Sequence, residues 1–308
     1  MPGMKLKGRR KAFNACGVYV FVMTPFKTSK DRRGKYEVDL AGVEGNISHF
    51  AGVPGEKTMV LCGGSGEFYS LSPSEVGDIS QAAATGSGGR CKVISGIGGT
   101  TRTAVKMAQR AQEAGCDAVL VMPHDPIVKR GEKAIWEHHR AIGKAIDIGF
   151  LPFRAPRQHI SIDLVKRFAR VENVVAIKEE SGAIDWVRTG RMATDQSVPF
   201  ITGGGEHMVP YYYLAGAVGF TTGMANLTLP RSIAFHDSAI EGRWEDSMLI
   251  RDYFEPLTAM RAKLGSPMLK AGLEMMGLAG GPVRDTGAML DAAQRRRLRR
   301  YLKQKGVL

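Results

Sequence analysis

A lysine stands at the end of a short apolar segment near the middle of the chain. Lys178 follows 174–177, Val-Val-Ala-Ile, and precedes Glu179 and Glu180. A lysine in this position is more often a solvated strand end than a catalytic group. Where a cavity deprives it of water, its ammonium group loses the proton more easily, and the neutral amine can attack a carbonyl carbon. Lys178 is therefore a candidate for imine formation.

A glycine-rich segment is the second feature that could do chemistry. The sequence at 63–67 is Gly-Gly-Ser-Gly-Glu, directly after the apolar run 58–62. Glycines allow several backbone N–H groups to converge on one carboxylate or phosphate, and Ser65 would add a hydroxyl. The spacing matches neither a P-loop nor a dinucleotide-binding fingerprint. A plain glycine turn explains the segment equally well.

Eight short apolar runs recur along the chain and alternate with segments of helical length and period. Apolar strands separated by helices predict a parallel sheet that is buried on both faces, and eight repeats predict closure into a (β/α)8 barrel. An open, doubly wound α/β sheet is the alternative, because periodicity does not distinguish the two. The predicted strands are 18–23, 58–62, 92–96, 118–122, 149–153, 174–177, 199–202 and 218–222.

Three helical segments at the carboxyl end alternate with no strand. They are predicted near 244–262, 267–276 and 290–303. We therefore expect the barrel in residues 1–235 and an appended helical subdomain in residues 236–308. In a barrel, chemistry belongs to the carboxyl ends of the strands.

The charge of the chain raises the question of a nucleic-acid partner. The 308 residues include 43 Lys and Arg against 30 Asp and Glu, a formal net charge of +13. Within the basic segment 295–305, Leu298, Tyr301 and Leu302 share one helix face. This pattern favours an amphipathic helix with a solvated basic face over a nucleic-acid arm. We therefore expect no nucleic-acid partner.

Membrane and metal partners are not expected either. The longest strongly apolar stretch, 17–23, is far shorter than the ~18 to 20 residues of a membrane span. The four cysteines are widely spaced and show no zinc-type pairing with each other or with histidine. Free thiols predict a cytoplasmic protein.

Several segments together resemble one enzyme family. The matches run in order along nearly the whole chain, and they resemble the dihydrodipicolinate synthase / N-acetylneuraminate lyase family. They are the loop 63–67, Pro73 with Glu75, the strand 176–179 with Ser181 and Gly182, Gly204, the run 216–226 with Pro230, and Gly-Gly-Pro-Val-Arg at 280–284.

The resemblance implies a class I, lysine-dependent lyase or aldolase that acts on a small 2-oxo acid. It implies a barrel with a C-terminal helical subdomain and a homo-oligomer, a tetramer or a dimer. Lys178 matches the imine-forming lysine, and Gly64 and Ser65 match the loop that receives the substrate carboxylate. Gly204 and Thr221 fall at positions that line the pocket. No metal or organic cofactor is expected, because the imine supplies the electron sink.

The sequence also departs from the family pattern. The family commonly carries a tyrosine in a Tyr-Asn-x-Pro context, where this chain has Phe153-Arg154-Ala155-Pro156 and no hydroxyl to move a proton. We expect Phe153 to line the pocket. We hypothesise that His124 replaces the tyrosine as acid and base and that Arg154 binds a second carboxylate. An ordinary loop histidine and a surface arginine explain these residues equally well.

The glycine loop bears on the reaction. Gly-Gly-Ser-Gly-Glu-Phe is similar to Gly-Gly-Thr-Gly-Glu-Phe of the 5-dehydro-4-deoxyglucarate dehydratase branch, which dehydrates and decarboxylates a sugar diacid. Three alternatives remain open. They are an aldolase for another 4-hydroxy-2-oxo acid, a dihydrodipicolinate-synthase-like enzyme, and a catalytically weakened member that only binds 2-oxo acids.

Overall fold

Parallel strands that close on themselves form the centre of the molecule. The computed structural model describes residues 6–156 and 158–308. Eight strands are hydrogen-bonded in the cyclic order β1-β10-β9-β8-β7-β6-β5-β4, and β2 pairs with β3 in a separate hairpin. The strands are β1 (Gly17–Phe21), β2 (Phe26–Lys30), β3 (Tyr36–Val38), β4 (Lys57–Leu61), β5 (Lys92–Ile97), β6 (Ala118–Val121), β7 (Gly149–Arg154), β8 (Ile177–Glu179), β9 (Phe200–Thr202) and β10 (Gly219–Thr222).

Helices cover the outside of the barrel. Every residue of β1, β4 and β6 is buried, as expected for strands with side chains facing both the barrel interior and a helical layer. The helices are α1 (Gly8–Phe13), α2 (Leu40–Gly52), α3 (Pro73–Ser87), α4 (Thr101–Glu113), α5 (Asp125–Val128), α6 (Glu132–Lys144), α7 (Ile162–Ala169), α8 (Ile184–Ala193), α9 (Val209–Leu214), α10 (Ala225–Ile240), α11 (Trp244–Leu264), α12 (Ser266–Met275) and α13 (Ala292–Gln304).

The (β/α)8 barrel predicted from the sequence is confirmed. β1 pairs with both β4 and β10, so the sheet closes, and the alternative of an open sheet is wrong. The sixth barrel strand differs from its prediction. Val174 forms only an isolated bridge to Phe150, and the continuous strand is Ile177–Glu179. Lys178 therefore lies inside a strand rather than after its end.

The C-terminal helices pack onto the barrel. In α13, Leu298 and Leu302 are fully buried and the neighbouring arginines are exposed, which is the predicted amphipathic arrangement. The predicted division between residues 235 and 236 falls inside α10, which continues to Ile240. We propose instead that the C-terminal unit begins with α11, after the turn at 241–243. Residues 1–5 of the predicted barrel unit lie outside the described residues.

Among the helices of the described residues, none combines the length and the apolar character that crossing a membrane would require.

A buried ion pair fixes the glycine-rich loop to α12. The Lys270 ammonium lies 2.6 Å from a carboxylate oxygen of Glu67 and is 1% exposed. It also donates to the backbone oxygens of Thr24, at 3.0 Å, and Pro282, at 2.7 Å. Glu67 has φ +59°, in the left-handed region that non-glycine residues rarely adopt. The anchor therefore holds a strained residue at the end of the loop.

We expect Lys270→Met to destabilise the protein strongly. The substitution removes one partner of a buried pair and leaves the Glu67 carboxylate with uncompensated charge, which costs about 3–5 kcal/mol. Chemical denaturation followed by tryptophan fluorescence measures the free energy of unfolding. Lys166→Met is the matched control, because its pair with Asp163 is exposed and should contribute less than about 1 kcal/mol. Equal losses in the two variants would contradict the anchoring role.

Candidate active site

A cavity of about 330 Å³ opens at the carboxyl ends of the barrel strands. Six of the eight residues predicted for the site line it. They are Gly64, Ser65, Phe153, Lys178, Gly204 and Thr221. Other lining residues, which the sequence did not single out for the site, are Phe21, Met122, Glu180, Gly205, Glu206, Thr222, Gly223 and Arg261.

Lys178 lies in the cavity between two aromatic rings. It is paired in register with Phe153 of the neighbouring strand, so both side chains point to the barrel interior. Its ammonium nitrogen is 3.8 Å from the centroid of the Phe153 ring and 4.3 Å from that of Phe21. The residue is only 2% exposed. Burial lowers the pKa of Lys178, and the nearby Glu180 carboxylate opposes that shift.

Glu180 is the charged neighbour of this lysine. Its carboxylate oxygen lies 2.5 Å from the Lys178 nitrogen, and 34% of its side chain is exposed. Because side chains two residues apart on a strand point to the same face, Lys178 and Glu180 both face the cavity while Glu179 faces outward. The spacing was visible in the sequence. It was missed because the strand was predicted to end before Lys178.

Arg154 does not reach the cavity. It follows Phe153 on β7 and is paired in register with Glu179, so it points outward toward α8. One guanidinium nitrogen lies 2.8 Å from a carboxylate oxygen of Glu179, whose side chain is fully buried. The guanidinium also lies over the Trp186 ring, 4.7 Å from its centroid. The expectation that Arg154 binds a substrate carboxylate is therefore corrected: its position gives it a structural ion pair.

His124 is also not among the residues that line the cavity. It is the half-buried residue that immediately precedes α5, and its backbone oxygen accepts from the N–H groups of Ile127 and Val128. The chain turns into α5 at this point, so the cavity wall at this strand end is formed by Met122 instead. The hypothesis that His124 and Arg154 together replace the missing tyrosine has no support in their positions.

Arg261 brings a cation to the cavity from outside the barrel. It lies near the end of α11, and its guanidinium donates to the Ser65 hydroxyl at 3.1 Å. Gly223 leaves room for it, because a Cβ there would lie 2.8 Å from both terminal guanidinium nitrogens. The sequence alone could not indicate this residue, since its approach depends on how α11 packs over the barrel mouth.

Glu206 is a buried carboxyl group in the same cavity. It is 3% exposed and accepts a hydrogen bond from the Thr222 hydroxyl. Burial raises its pKa, while the Thr222 hydrogen bond and the charges of Arg261 and His207 act in the opposite direction. The cavity therefore combines two basic groups, Lys178 and Arg261, with two carboxyl groups.

The closed barrel has a buried lysine and a glycine loop at the carboxyl ends of its strands, where (β/α)8 barrel enzymes carry their active sites, and these features define the class of protein. The chain matches the Dihydrodipicolinate synthetase family over residues 14–305, and it belongs to that family. The resemblance inferred from the sequence motifs is thus confirmed.

Relatives of the chain carry two different names. A probable 5-dehydro-4-deoxyglucarate dehydratase of Rhizobium meliloti (strain 1021) is 28% identical over 275 residues, covering 87% of this chain and 88% of that protein. A 4-hydroxy-tetrahydrodipicolinate synthase of Methanosphaerula palustris is 29% identical over 283 residues, covering 90% and 94%. The crystal structure of dihydrodipicolinate synthase from Oceanobacillus iheyensis superimposes with a TM-score of 0.82 at 27% identity, over 98% of this chain and 100% of that one.

We expect the stability difference between Glu206→Gln and the wild type to depend on pH. The raised pKa means that the folded state binds the Glu206 proton more tightly than the unfolded state. The stability that this proton contributes is present at low pH and is lost as pH rises through the folded pKa. The free energy of unfolding of Glu206→Gln should therefore increase relative to wild type from about pH 4 upward.

Urea denaturation at a series of pH values measures this difference. Glu137→Gln, on the exposed side of α6, is the control and should show no such trend. If the difference in unfolding free energy between Glu206→Gln and the wild type stays constant across the series, the raised pKa of the buried Glu206 carboxyl group is contradicted.

Proposed function

We propose that the protein is a lyase that forms an imine between Lys178 and a 2-oxo acid. The observation that carries this proposal is the position of the Lys178 amine, which is buried between Phe21 and Phe153 and faces a cavity that the glycine loop also lines. Burial lowers the pKa of this amine, so its neutral, nucleophilic form is easier to reach.

The chemistry follows from that amine. Its nitrogen attacks the carbonyl carbon of the 2-oxo acid, and the resulting carbinolamine loses water to give an iminium ion. The positive nitrogen accepts an electron pair from the adjacent carbon. A proton can then leave that carbon, or a carbon–carbon bond to it can form or break, without a free carbanion.

The substrate carboxylate has two partners in the cavity. Gly64 and Ser65 line the wall, and Arg261 donates to the Ser65 hydroxyl at 3.1 Å. A guanidinium group binds carboxylates in a planar, two-point geometry. We propose that Arg261 has the role that the sequence suggested for Arg154.

The substrate we favour is a keto-deoxy sugar diacid such as 5-dehydro-4-deoxyglucarate, which would be dehydrated and decarboxylated. The Gly-Gly-Ser-Gly-Glu-Phe loop, the names of several relatives and the cation Arg261 support this choice. The alternative is an aldolase or dihydrodipicolinate-synthase-like reaction on another 2-oxo acid, in line with the names of other relatives.

A second candidate function is 2-oxo-acid binding with weakened catalysis. Phe153 favours it, because this side chain contacts Lys178 and has no hydroxyl.

We further propose a homo-oligomer located in the cytoplasm. Large apolar side chains that are 42% to 70% exposed on α8, α9 and α11 would be covered by self-association. They are Met192, Tyr211, Leu214 and Leu249.

We expect pyruvate and borohydride to label Lys178. Reduction of the imine fixes the substrate to the lysine, so intact-mass spectrometry should show one reduced pyruvyl adduct and peptide mapping should place it at Lys178. Lys178→Arg keeps the charge but cannot form the imine, and it should stay unlabelled. No mass increase in the wild type would contradict the proposed chemistry. An adduct without turnover of any member of a panel of 2-oxo sugar acids would instead favour the binding function.

We expect Arg261→Met to raise the apparent KM for the sugar diacid by about 10- to 100-fold, which is the loss of one charge-assisted hydrogen bond to a carboxylate. Steady-state kinetics at saturating and limiting substrate measures the effect. Arg154→Met is the matched control. It should lower stability, because it leaves buried Glu179 unpaired, without raising KM comparably. The reverse pattern would restore Arg154 as the substrate-binding cation.

A further inference from the structure

We propose that Glu180 is the acid–base catalyst that forms and hydrolyses the Lys178 imine, in place of the tyrosine that is missing at position 153. This inference rests on the proposed function. It assigns a proton-transfer role to a residue that neither the family resemblance nor the sequence motifs single out.

The contact with the reacting atom is direct. The Glu180 carboxylate oxygen lies 2.5 Å from the Lys178 nitrogen, within the range of a proton transfer through a hydrogen bond. Both residues line the cavity. The backbone of Glu180 is held in place as well, since its N–H donates to the Arg154 oxygen at 3.0 Å and extends the pairing of β8 with β7.

Gly203 provides the space through which Glu180 reaches the lysine. A Cβ at position 203 would lie 2.6 Å from both the Cγ and a carboxylate oxygen of Glu180, closer than packed atoms approach. The backbone of Gly203 does not have a positive φ, so conformation alone does not call for glycine there. The absent side chain is therefore explained by the path of the Glu180 side chain.

Other cavity residues are less suitable for this role. Phe153 contacts the Lys178 ammonium only through its ring, which has no exchangeable proton. Glu206 is occupied by the Thr222 hydroxyl, and Arg261 donates to Ser65. Glu180 is also 34% exposed at the cavity, so it can exchange protons with solvent.

The proton balance of the step is complete. The Glu180 carboxylate takes one proton from the Lys178 ammonium and leaves a neutral amine. The amine nitrogen bonds to the carbonyl carbon of the 2-oxo acid, and one of its two protons passes to the carbonyl oxygen, which becomes the hydroxyl of the carbinolamine. Protonated Glu180 then returns its proton to that hydroxyl, which departs as water as the C=N bond forms. Hydrolysis of the product imine runs the same transfers in reverse.

The test is the rate at which pyruvate forms the reducible imine, measured by rapid mixing, borohydride quench and intact mass. Glu180→Gln keeps the size and hydrogen-bonding atoms but cannot carry the proton. We expect it to reach the same final labelling about 10²- to 10⁴-fold more slowly. Glu180→Asp, which restores a carboxylate, should recover part of the rate. Glu137→Gln, on the exposed side of α6, should behave as wild type.

The pH profile separates a proton carrier from a merely structural partner. Protonation of Lys178 slows imine formation at acidic pH in both proteins, so the comparison is between their profiles. The ratio of the wild-type rate to the Glu180→Gln rate should change with pH, because only the wild type has a carboxylate that can accept the lysine proton. The charged groups around Glu180 are Lys178, Arg261 and Glu206. Glu206→Gln should keep the pH profile of the wild type, which excludes Glu206 as the source of the difference.

A backbone variant provides an independent test. Gly203→Ala should displace Glu180 from the lysine and slow imine formation toward the rate of Glu180→Gln, whereas Gly45→Ala, where a Cβ meets open space, should have no effect. An unchanged rate and pH profile in Glu180→Gln, with normal labelling of the wild type, would overturn this inference and leave the proposed function intact. Absence of labelling in the wild type would overturn both.

Discussion

The candidate site depends on holding one ammonium group out of water. Lys178 lies between the rings of Phe21 and Phe153, and its charge is balanced by Glu180. Desolvation favours the neutral amine, whereas the carboxylate and the aromatic faces favour the cation. Together these effects set how readily Lys178 gives up its proton. In the proposed function, the rest of the cavity surrounds a negatively charged carbonyl compound when it reaches that amine.

The alternation of side chains along β7 and β8 determines which groups serve the site. Phe153, Lys178 and Glu180 face the cavity, while Arg154 and Glu179 face the helical layer and pair there. A one-residue difference in position along the strand therefore separates a cavity-facing side chain from a structural one. Arg154 and Arg261 accordingly have different surroundings, which are set by their elements. Arg154 joins a strand to α8, and Arg261 enters the cavity from α11.

Local patterns in the sequence were sufficient to predict the barrel and to place Lys178 and the glycine loop at its cavity, because each of these features is encoded by neighbouring residues. The roles of His124 and Arg154 were assigned from residue type alone, and residue type does not show which way a side chain points. Glu180 could be identified from the sequence, since it is two residues from Lys178. The strand was predicted to end at 177, however, so the face that Lys178 and Glu180 share was not predicted. Arg261 could not be predicted from the sequence, because its position depends on the packing of distant segments. The space at Gly203 and the room at Gly223 likewise become visible only in the folded structure, where the contacting side chains come from other segments.

The C-terminal helices hold the site from two sides. α12 fixes the far end of the glycine loop through Lys270, and α11 supplies the cation next to Ser65. Lys178, by contrast, belongs to a strand of the barrel. The buried amine and the Arg261 guanidinium are thus encoded in separable stretches of the gene. A recombination event between relatives near codons 241–243 would therefore exchange the helix that carries this guanidinium and leave the buried amine unchanged.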